Sequence, residues 1–446
     1  MATYYKEGEQ PQFSNMDGAQ EAQYGTTRRS GCLGKAFGTA CAVIYFVLLT
    51  AVAVIAFILG SYATSKVRSF SVPDAILMSD PSTAPAGYTV FSLGTGLGYW
   101  SPSTDMLHQR SDHGVISYQK YAYLVGGMSF NPSANKSEVS ASVVRYDTET
   151  GQMYEMAPLP FARYRFAYAQ SKGNIYVLGG ADNTDATTNT VFVYNIAANN
   201  WTMMGKLNTP RTDACGAAVN GKVYVFGGYD ANYVSLSSVE VCDPATATSS
   251  APAVCTQLPA SSDLKVSRGD CRAVAIDGII YAVGGVEWYN NTQQNCTANW
   301  VFCYRFLNSV EAFNPATGVW SFRAPMISPR GDFGIEALPG GRIIVAGGEK
   351  GNGTNNAMAM YDVEEYIVEH NIWVQKAPLP QARFRDDLAY VAGRVYAFGG
   401  TPSCELVPDG PPCNQVALKT VFAMFDVQYP RLYAFFKAAT ATASSA

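Results

Sequence analysis

The chain is expected to fold as an all-β ring of six sheets, a six-bladed β-propeller, preceded by one transmembrane helix. Two observations predict the ring. Six apolar runs end in a double glycine: YAYLVGG (Gly126, Gly127), IYVLGG (Gly179, Gly180), VYVFGG (Gly227, Gly228), IIYAVGG (Gly284, Gly285), RIIVAGG (Gly347, Gly348) and VYAFGG (Gly399, Gly400). Their first glycines lie 53, 48, 57, 63 and 52 residues apart, and a period near ~50 residues is that of one propeller blade per repeat. A third observation predicts the helix: from Ala36 to Ala63 the chain is apolar and uncharged.

The repeat extends beyond its glycines. An arginine opens the strand before each pair: Arg110, Arg163, Arg211, Arg268, Arg330 and Arg383. It precedes the first glycine by 16 residues in five units and by 17 in the fifth, where Gly340–Gly341 adds one. Four residues earlier stands Met106, Leu159, Leu207, Leu264, Met326 or Leu379, and before that Trp100, Tyr154, Trp201, Leu258, Trp320 or Trp373. A third strand, after the glycines, carries Tyr146, Tyr194, Val241, Phe313, Tyr361 or Phe425.

Each choice has a physical reason. The runs ending in glycine are β-branched and aromatic, as strands covered on both faces require. Glycine at their ends reaches φ values closed to other residues and lets a second backbone approach. Tryptophan on the fourth strand offers a broad flat surface to the neighbouring blade. No unit buries both faces alone, so the ring must close. Tyr99–Ser101 precede the first unit as a fourth strand without a blade, while the last unit has only three strands of its own. These residues are expected to complete the sixth blade.

Over residues 88–436 this pattern resembles the kelch-repeat family, here as a single-pass, membrane-anchored member. The resemblance implies fold more than function, because propellers host unrelated activities. The expected organisation is a disordered cytoplasmic tail at 1–35, a signal-anchor helix at 36–63, a stalk at 64–87, the propeller at 88–436 and a flexible tail at 437–446.

The apolar run exceeds the ~20 residues needed to span a bilayer. Ser61-Tyr62-Ala63 has the form of a signal-peptidase site, but the long core and late start favour an uncleaved anchor. Arg28, Arg29 and Lys35 before it, against Lys66 and Arg68 after it, favour an internal N-terminus slightly. All five glycosylation sequons (Asn135, Asn200, Asn290, Asn295 and Asn352) follow the segment. Eight of the ten cysteines are in the propeller, an even number suited to an oxidising space. The propeller is therefore expected outside the plasma membrane, with the Golgi lumen as the alternative. Expected disulfides are Cys242–Cys255, Cys296–Cys303 and Cys404–Cys413 within single blades or loops. Cys215–Cys271, joining blades three and four, follows by elimination. Cys32, on the inner side, is either a palmitoylation site or a plain thiol.

Candidate functional residues lie on one face. In an up-and-down blade the two-to-three loops and the four-to-one connections emerge together, and the insertions at Met128–Glu138, Val286–Asn308 and Thr401–Lys419 all fall there. Two residues after each repeat arginine come Asp112, Arg165, Asp213, Asp270, Asp332 and Arg385, a candidate channel-mouth ring. Such a ring binds a cation, an amine or a partner's charges; the plainer expectation is that it satisfies backbone groups and neighbouring arginines. The six repeat arginines are expected to be structural.

No catalytic residue is assigned and no cofactor or metal is expected. Propellers resembling galactose oxidase hold copper with two histidines and two tyrosines, one of them cross-linked to cysteine. The chain has only His108, His113 and His370, with no evident cysteine–tyrosine partnership. A net charge of −4 and 15% charged residues, against a typical ~25%, exclude a nucleic-acid partner. The expectation is a non-enzymatic binding, scaffold or adhesion module for an extracellular protein or glycan, with a larger membrane or extracellular assembly as a variant. A type II lumenal carbohydrate-active enzyme is the alternative.

Overall fold

The computed structural model describes residues 75–78, 88–93, 99–131, 136–246, 253–290, 302–351, 357–402, 417–425 and 432–437. All of them fall in the compact unit Asp74–Ala446. Six four-stranded antiparallel sheets form the blades. Blade one is Gly114–Tyr118, Tyr121–Val125, Val143–Asp147 and Met153–Met156, and blade two is Ala167–Ser171, Asn174–Leu178, Thr190–Asn195 and Asn200–Lys206. Blade three comprises Cys215–Val219, Lys222–Phe226, Val239–Asp243 and Val254–Gln257; blade four comprises Arg272–Ile276, Ile279–Val283, Val310–Asn314 and Val319–Arg323. Gly334–Leu338, Arg342–Ala346, Val363–Ile367 and Ile372–Gln375 make blade five.

Blade six closes the ring. Its strands Asp387–Val391, Arg394–Phe398 and Val421–Phe425 are completed by Ser101–Pro102, which pairs antiparallel with the last of them, Ser101 opposite Ala423. Trp100 packs beside this strand against Leu338, Leu379, Leu388 and Phe422, bridging blades five and six. Its indole donates to the Ala377 carbonyl at 3.1 Å. Trp201, Trp320 and Trp373 donate in the same way, each at 2.9 Å, to Ala157, Ser262 and Ala324 of the blade before. Trp100 thus obeys the rule of the other fourth strands.

The second strands, where β-branched and aromatic residues concentrate, are the most deeply covered parts of each blade. The glycines that end them have a sharper role than freedom of φ. In every blade the second glycine's N–H donates to the carbonyl of the next blade's repeat arginine: Gly127 to Arg163, Gly180 to Arg211, Gly228 to Arg268, Gly285 to Arg330, Gly348 to Arg383 and Gly400 to Arg110, at 2.8–2.9 Å. The last bond joins blade six back to blade one. At Gly399, φ is 59° and an added Cβ would lie 2.4 Å from the Arg110 carbonyl oxygen, so a side chain there would prise the clasp open.

Three sequence expectations need correction. Ala75–Met78, placed in the stalk, is a strand paired with Leu432–Lys437, and Tyr88–Leu93 pairs with that strand's other edge. Neither Tyr88–Leu93 nor Leu432–Lys437 belongs to a blade: the three strands extend the outer edge of blade five through a parallel bridge between Phe91 and Gln375. Four apolar residues are too few to show alternation, and pairing with the distant C-terminal strand leaves no local signal. Val241 and Phe425 lie on third strands as expected, whereas Tyr361 stands just before the third strand of blade five, Val363–Ile367. The positions that repeat in the core are Cys242, Tyr366 and Met424. Their partners Val223, Ile343 and Val395 all stand four residues before the first glycine. Val241 and Phe425 stand one residue from that register and so on the other face of their strands. Phe425 is exposed, as is Tyr361 outside its strand. The predicted fourth strand at Tyr99–Ser101 is Ser101–Pro102.

The membrane segment 36–63 lies outside the described residues, as do the rest of 1–73 and the tail after Lys437. Among the described residues no helix is long and apolar enough to cross a membrane.

Candidate channel-mouth site

Each repeat arginine reaches from the start of its blade's first strand to the glycine pair. Arg110, Arg211, Arg268, Arg330 and Arg383 donate through Nη1 to the carbonyls of Gly126, Gly227, Gly284, Gly347 and Gly399 at 2.7–2.9 Å. The 16-residue spacing is therefore a contact. Arg163 departs from this pattern and bonds the Ala162 carbonyl. In blades three, four and five a buried carboxylate completes the lock: Glu240, Glu311 and Glu364 receive Nη2 of Arg211, Arg268 and Arg330. These glutamates also accept the N–H groups of Asn208 and Thr209, Lys265 and Val266, and Ile327 and Ser328. Phe192 and Phe422 replace them in blades two and six, and lie under Arg163 and Arg383. Burial pushes Arg110 and Arg383, which have no such carboxylate, down to about 10. Sequence reasoning missed the glutamates, although Val-Glu opens the third strand in all three blades.

The structure brings all six predicted ring residues together. Asp112, Arg165, Asp213, Asp270, Asp332 and Arg385 adopt left-handed φ values of 49–58°, unfavourable for residues with a side chain. What holds them is a belt of backbone bonds around the axis. Arg165 N–H donates to Asp112 O, Asp213 to Arg165, Asp332 to Asp270, Arg385 to Asp332 and Asp112 to Arg385. The side chains form a second belt. Arg165 lies 3.3 Å from Asp112 and 3.7 Å from Asp213, and Arg385 lies 3.4 Å from Asp112 and 3.2 Å from Asp332. The plainer expectation, that the ring satisfies backbone groups and its own arginines, describes this half of it well.

The other half is electrostatically crowded. One oxygen from each of Asp213, Asp270 and Asp332 lies within 4.8 Å of the others, and Asp270 also accepts the Tyr229 hydroxyl at 2.7 Å. Burial, reinforced by Asp332 and Asp112, pushes Asp213 up to about 6 despite Arg165. Burial and Asp332 push Glu349, from the blade-five insertion, up to about 7. Asp270 stands well above the usual carboxylate range for the same reasons. At Asp112 burial acts upward too, but Arg385 and Arg165 outweigh it and hold the group down.

These shifts give the propeller a pH dependence of definite sign. A carboxyl raised in the folded state binds its proton more tightly there than in the unfolded chain. The stability it contributes therefore grows as the pH falls from the folded pKa toward the unfolded one, near ~4. With Asp213 at about 6 and Glu349 at about 7, the thermal midpoint should be higher at pH ~5.5 than at pH ~7.5. Asp213→Asn with Glu349→Gln should flatten the profile, and a midpoint that falls on acidification over this range would contradict the assignment.

Above the ring stand the insertions. Met128–Asn131 with Lys136–Val139, Val286–Asn290 with Phe302–Phe306, and Glu349–Gly351 with Ala357–Ala359 form hairpins; the third was not anticipated. The blade-four hairpin stacks Trp288 on Tyr304 with ring centres 5.3 Å apart. It leans on blade three, where Ser235 Oγ accepts the Trp288 N–H at 2.7 Å. Tyr229 meets Trp288 edge-on and Tyr233 at 5.9 Å.

Cys215 and Cys271 are joined across blades three and four with Cα atoms 5.6 Å apart, and Cys242 is joined to Cys255 across the third and fourth strands of blade three. Cys296–Cys303 and Cys404–Cys413 are not fully within the described residues. Of the sequon asparagines, Asn200 is exposed at the start of a fourth strand; the side chains of Asn135, Asn290, Asn295 and Asn352 lie outside the description. His113 is buried in the core, whereas His108 and His370 are exposed.

A six-bladed ring with an arginine–glycine lock in its blades defines the class of protein. Residues 112–330 match the family model described as the KLHDC2/KLHL20/DRC7 Kelch-repeats domain. Kelch-like protein terF of Aspergillus terreus is 25% identical over 356 residues, 77% of this chain and 72% of that protein. Alpha-scruin of Limulus polyphemus is 26% identical over 210 residues, and kelch-like protein 36 of Bos taurus 26% over 267 residues, covering 45% and 59% of this chain. The chain spans about a fifth of alpha-scruin (21%) and two-fifths of kelch-like protein 36 (40%). The chain thus carries a kelch-repeat domain, folded within a six-bladed β-propeller, and has kelch-like homologues. Propellers of this family are typically non-enzymatic protein-interaction modules.

Proposed function

We propose that this chain is a membrane-anchored, extracellular kelch propeller that binds a protein or glycan partner through its two-to-three-loop face. The observation that carries the reading is the concentration of built structure there: three added hairpins over the channel mouth, with Trp288 stacked on Tyr304. Elaborated loops on a rigid scaffold are where binding residues gather, and aromatic side chains dominate the energetics of such contacts. Tyr233 and Val234, 37% and 49% exposed beside this wall, extend it with apolar surface. The uncharged run from Ala36 to Ala63, the sequons and the paired cysteines support an extracellular setting.

Cross-linking on intact cells with a membrane-impermeant reagent tests both parts. The propeller should react, and a neighbour should be captured on the loop face. With that neighbour purified, Trp288→Ala combined with Tyr233→Ala should weaken binding by at least ~10-fold and leave the fold intact. A propeller protected from the reagent, or binding indifferent to both substitutions, would overturn the reading.

A further inference from the structure

The propeller axis holds a second feature, independent of the loop face. Toward the end away from the ring, the first strands of blades one to five line a partly open cavity of ≈ 230 Å³. At ~30 Å³ per water this is room for about seven waters or one small organic ion. Ser117, Gln170, Glu336 and Tyr168 supply the polar side chains of its walls, the Tyr168 hydroxyl being given to Asp387, and most of the remainder is alanine, glycine and valine. Among the described residues, no cationic side chain lines it.

Glu336 is held in place by three donors. Ser117 Oγ donates to its Oε2 at 2.8 Å, the Tyr390 N–H to the same oxygen at 3.2 Å, and the Ala337 N–H to Oε1 at 3.0 Å. The three donors favour the carboxylate, but burial outweighs them and pushes the group up to about 7. A cation bound beside it would therefore draw it to the charged form. Among the described residues no ion pair meets it. Arg272 at the axis feels other groups: against the effect of burial, Tyr168, Asp387, Asp332 and Asp213 all raise its pKa. Asp387 in turn accepts the Tyr168 hydroxyl and the Val115 N–H. A preorganised carboxylate in an uncharged, ion-sized cavity is complementary to a compact cation that brings its own hydrogen-bond donors.

We propose that the axial cavity is a binding site for a small primary ammonium ion, its charge paired with Glu336 and its remaining polar groups met by Ser117 and Gln170. An anion is disfavoured by Glu336, and a bulky apolar ligand by the cavity's size and polar walls.

The test uses the full-length chain in detergent and 2-hydroxyethylammonium chloride as probe, with glycolate and ethylene glycol as anionic and neutral probes of similar size. Calorimetry should give a Kd of about 1 mM or tighter for the ammonium ion and binding at least ~10-fold weaker for the other two. Glu336→Gln should weaken ammonium binding by at least ~10-fold. As a second readout, saturating ammonium should raise the thermal midpoint of the wild type and not that of the variant. If the variant fails to fold, discrimination among the three probes by the wild type decides the matter alone. No ammonium binding by the folded wild type at about ten times that concentration, equal binding of all three probes, or binding undiminished in Glu336→Gln would each overturn the proposal.

Discussion

Replacing Arg268 with alanine should remove about 3–5 kcal/mol of unfolding free energy, read from the shift in a urea or guanidinium transition. The side chain is fully buried and makes five bonds, one of them from Nε to the Val266 carbonyl at 3.3 Å. Nη1 reaches the carbonyls of Gly284 at 2.8 Å and Ser309 at 3.1 Å, while Nη2 reaches Ser309 Oγ at 3.0 Å and Glu311 Oε1 at 2.6 Å. Alanine would leave Glu311 as a buried charge without its cation and deprive three carbonyls, those of Val266, Gly284 and Ser309, of their donor. The penalty comes mainly from what is left unpaired. Replacing both members, Arg268→Met with Glu311→Leu, should therefore recover part of the loss. A loss below about 1 kcal/mol for Arg268→Ala would show that the arginine is not a lock.

Trp100→Ala should cost a similar ~3–5 kcal/mol. Trp100 is 7% exposed and lies among Leu338, Leu379, Leu388, Phe422 and Met424. Truncation would open a cavity between blades five and six and release the Ala377 carbonyl from its indole donor. The residue stands just before Ser101–Pro102, the only strand of blade six contributed by the N-terminal side of the domain. Its loss should also raise the unfolding rate, because the seam it covers is where the ring can part. A substitution costing less than about 1 kcal/mol would mean that the seam is held elsewhere.

The ring was legible because repetition multiplies weak signals. One Val-Tyr-Val-Phe-Gly-Gly run is an ordinary strand; six, each with an arginine at nearly constant distance, mark blades. The channel-mouth ring was legible for the same reason, since Asp112, Asp213, Asp270 and Asp332 occupy equivalent places in the repeat. What repetition could not reveal is whatever occurs once. Ala75–Met78 finds its partner at Leu432–Lys437, a pairing with no local trace. The misplacement of Tyr361 came from blade five, where the buried run Val-Glu-Glu-Tyr-Ile looks polar until Glu364 is seen to meet Arg330 and Glu365 to meet Arg342 and Lys376. The axial cavity was invisible because its walls are assembled from five blades, each contributing only a few residues.

The closed six-bladed ring underlies every assignment of face and axis, and a cysteine pair tests it most directly. Ser101 and Ala423 stand opposite each other across the closing strand, with Ser101 Oγ bonded to the Ala423 carbonyl at 3.2 Å. Antiparallel partners have Cα atoms about 4.5–5.5 Å apart, within the range a disulfide bridges. Peptide mapping of non-reduced Ser101→Cys/Ala423→Cys protein should find residues 101 and 423 linked within one chain. A folded monomer in which both thiols stay free would contradict the closure.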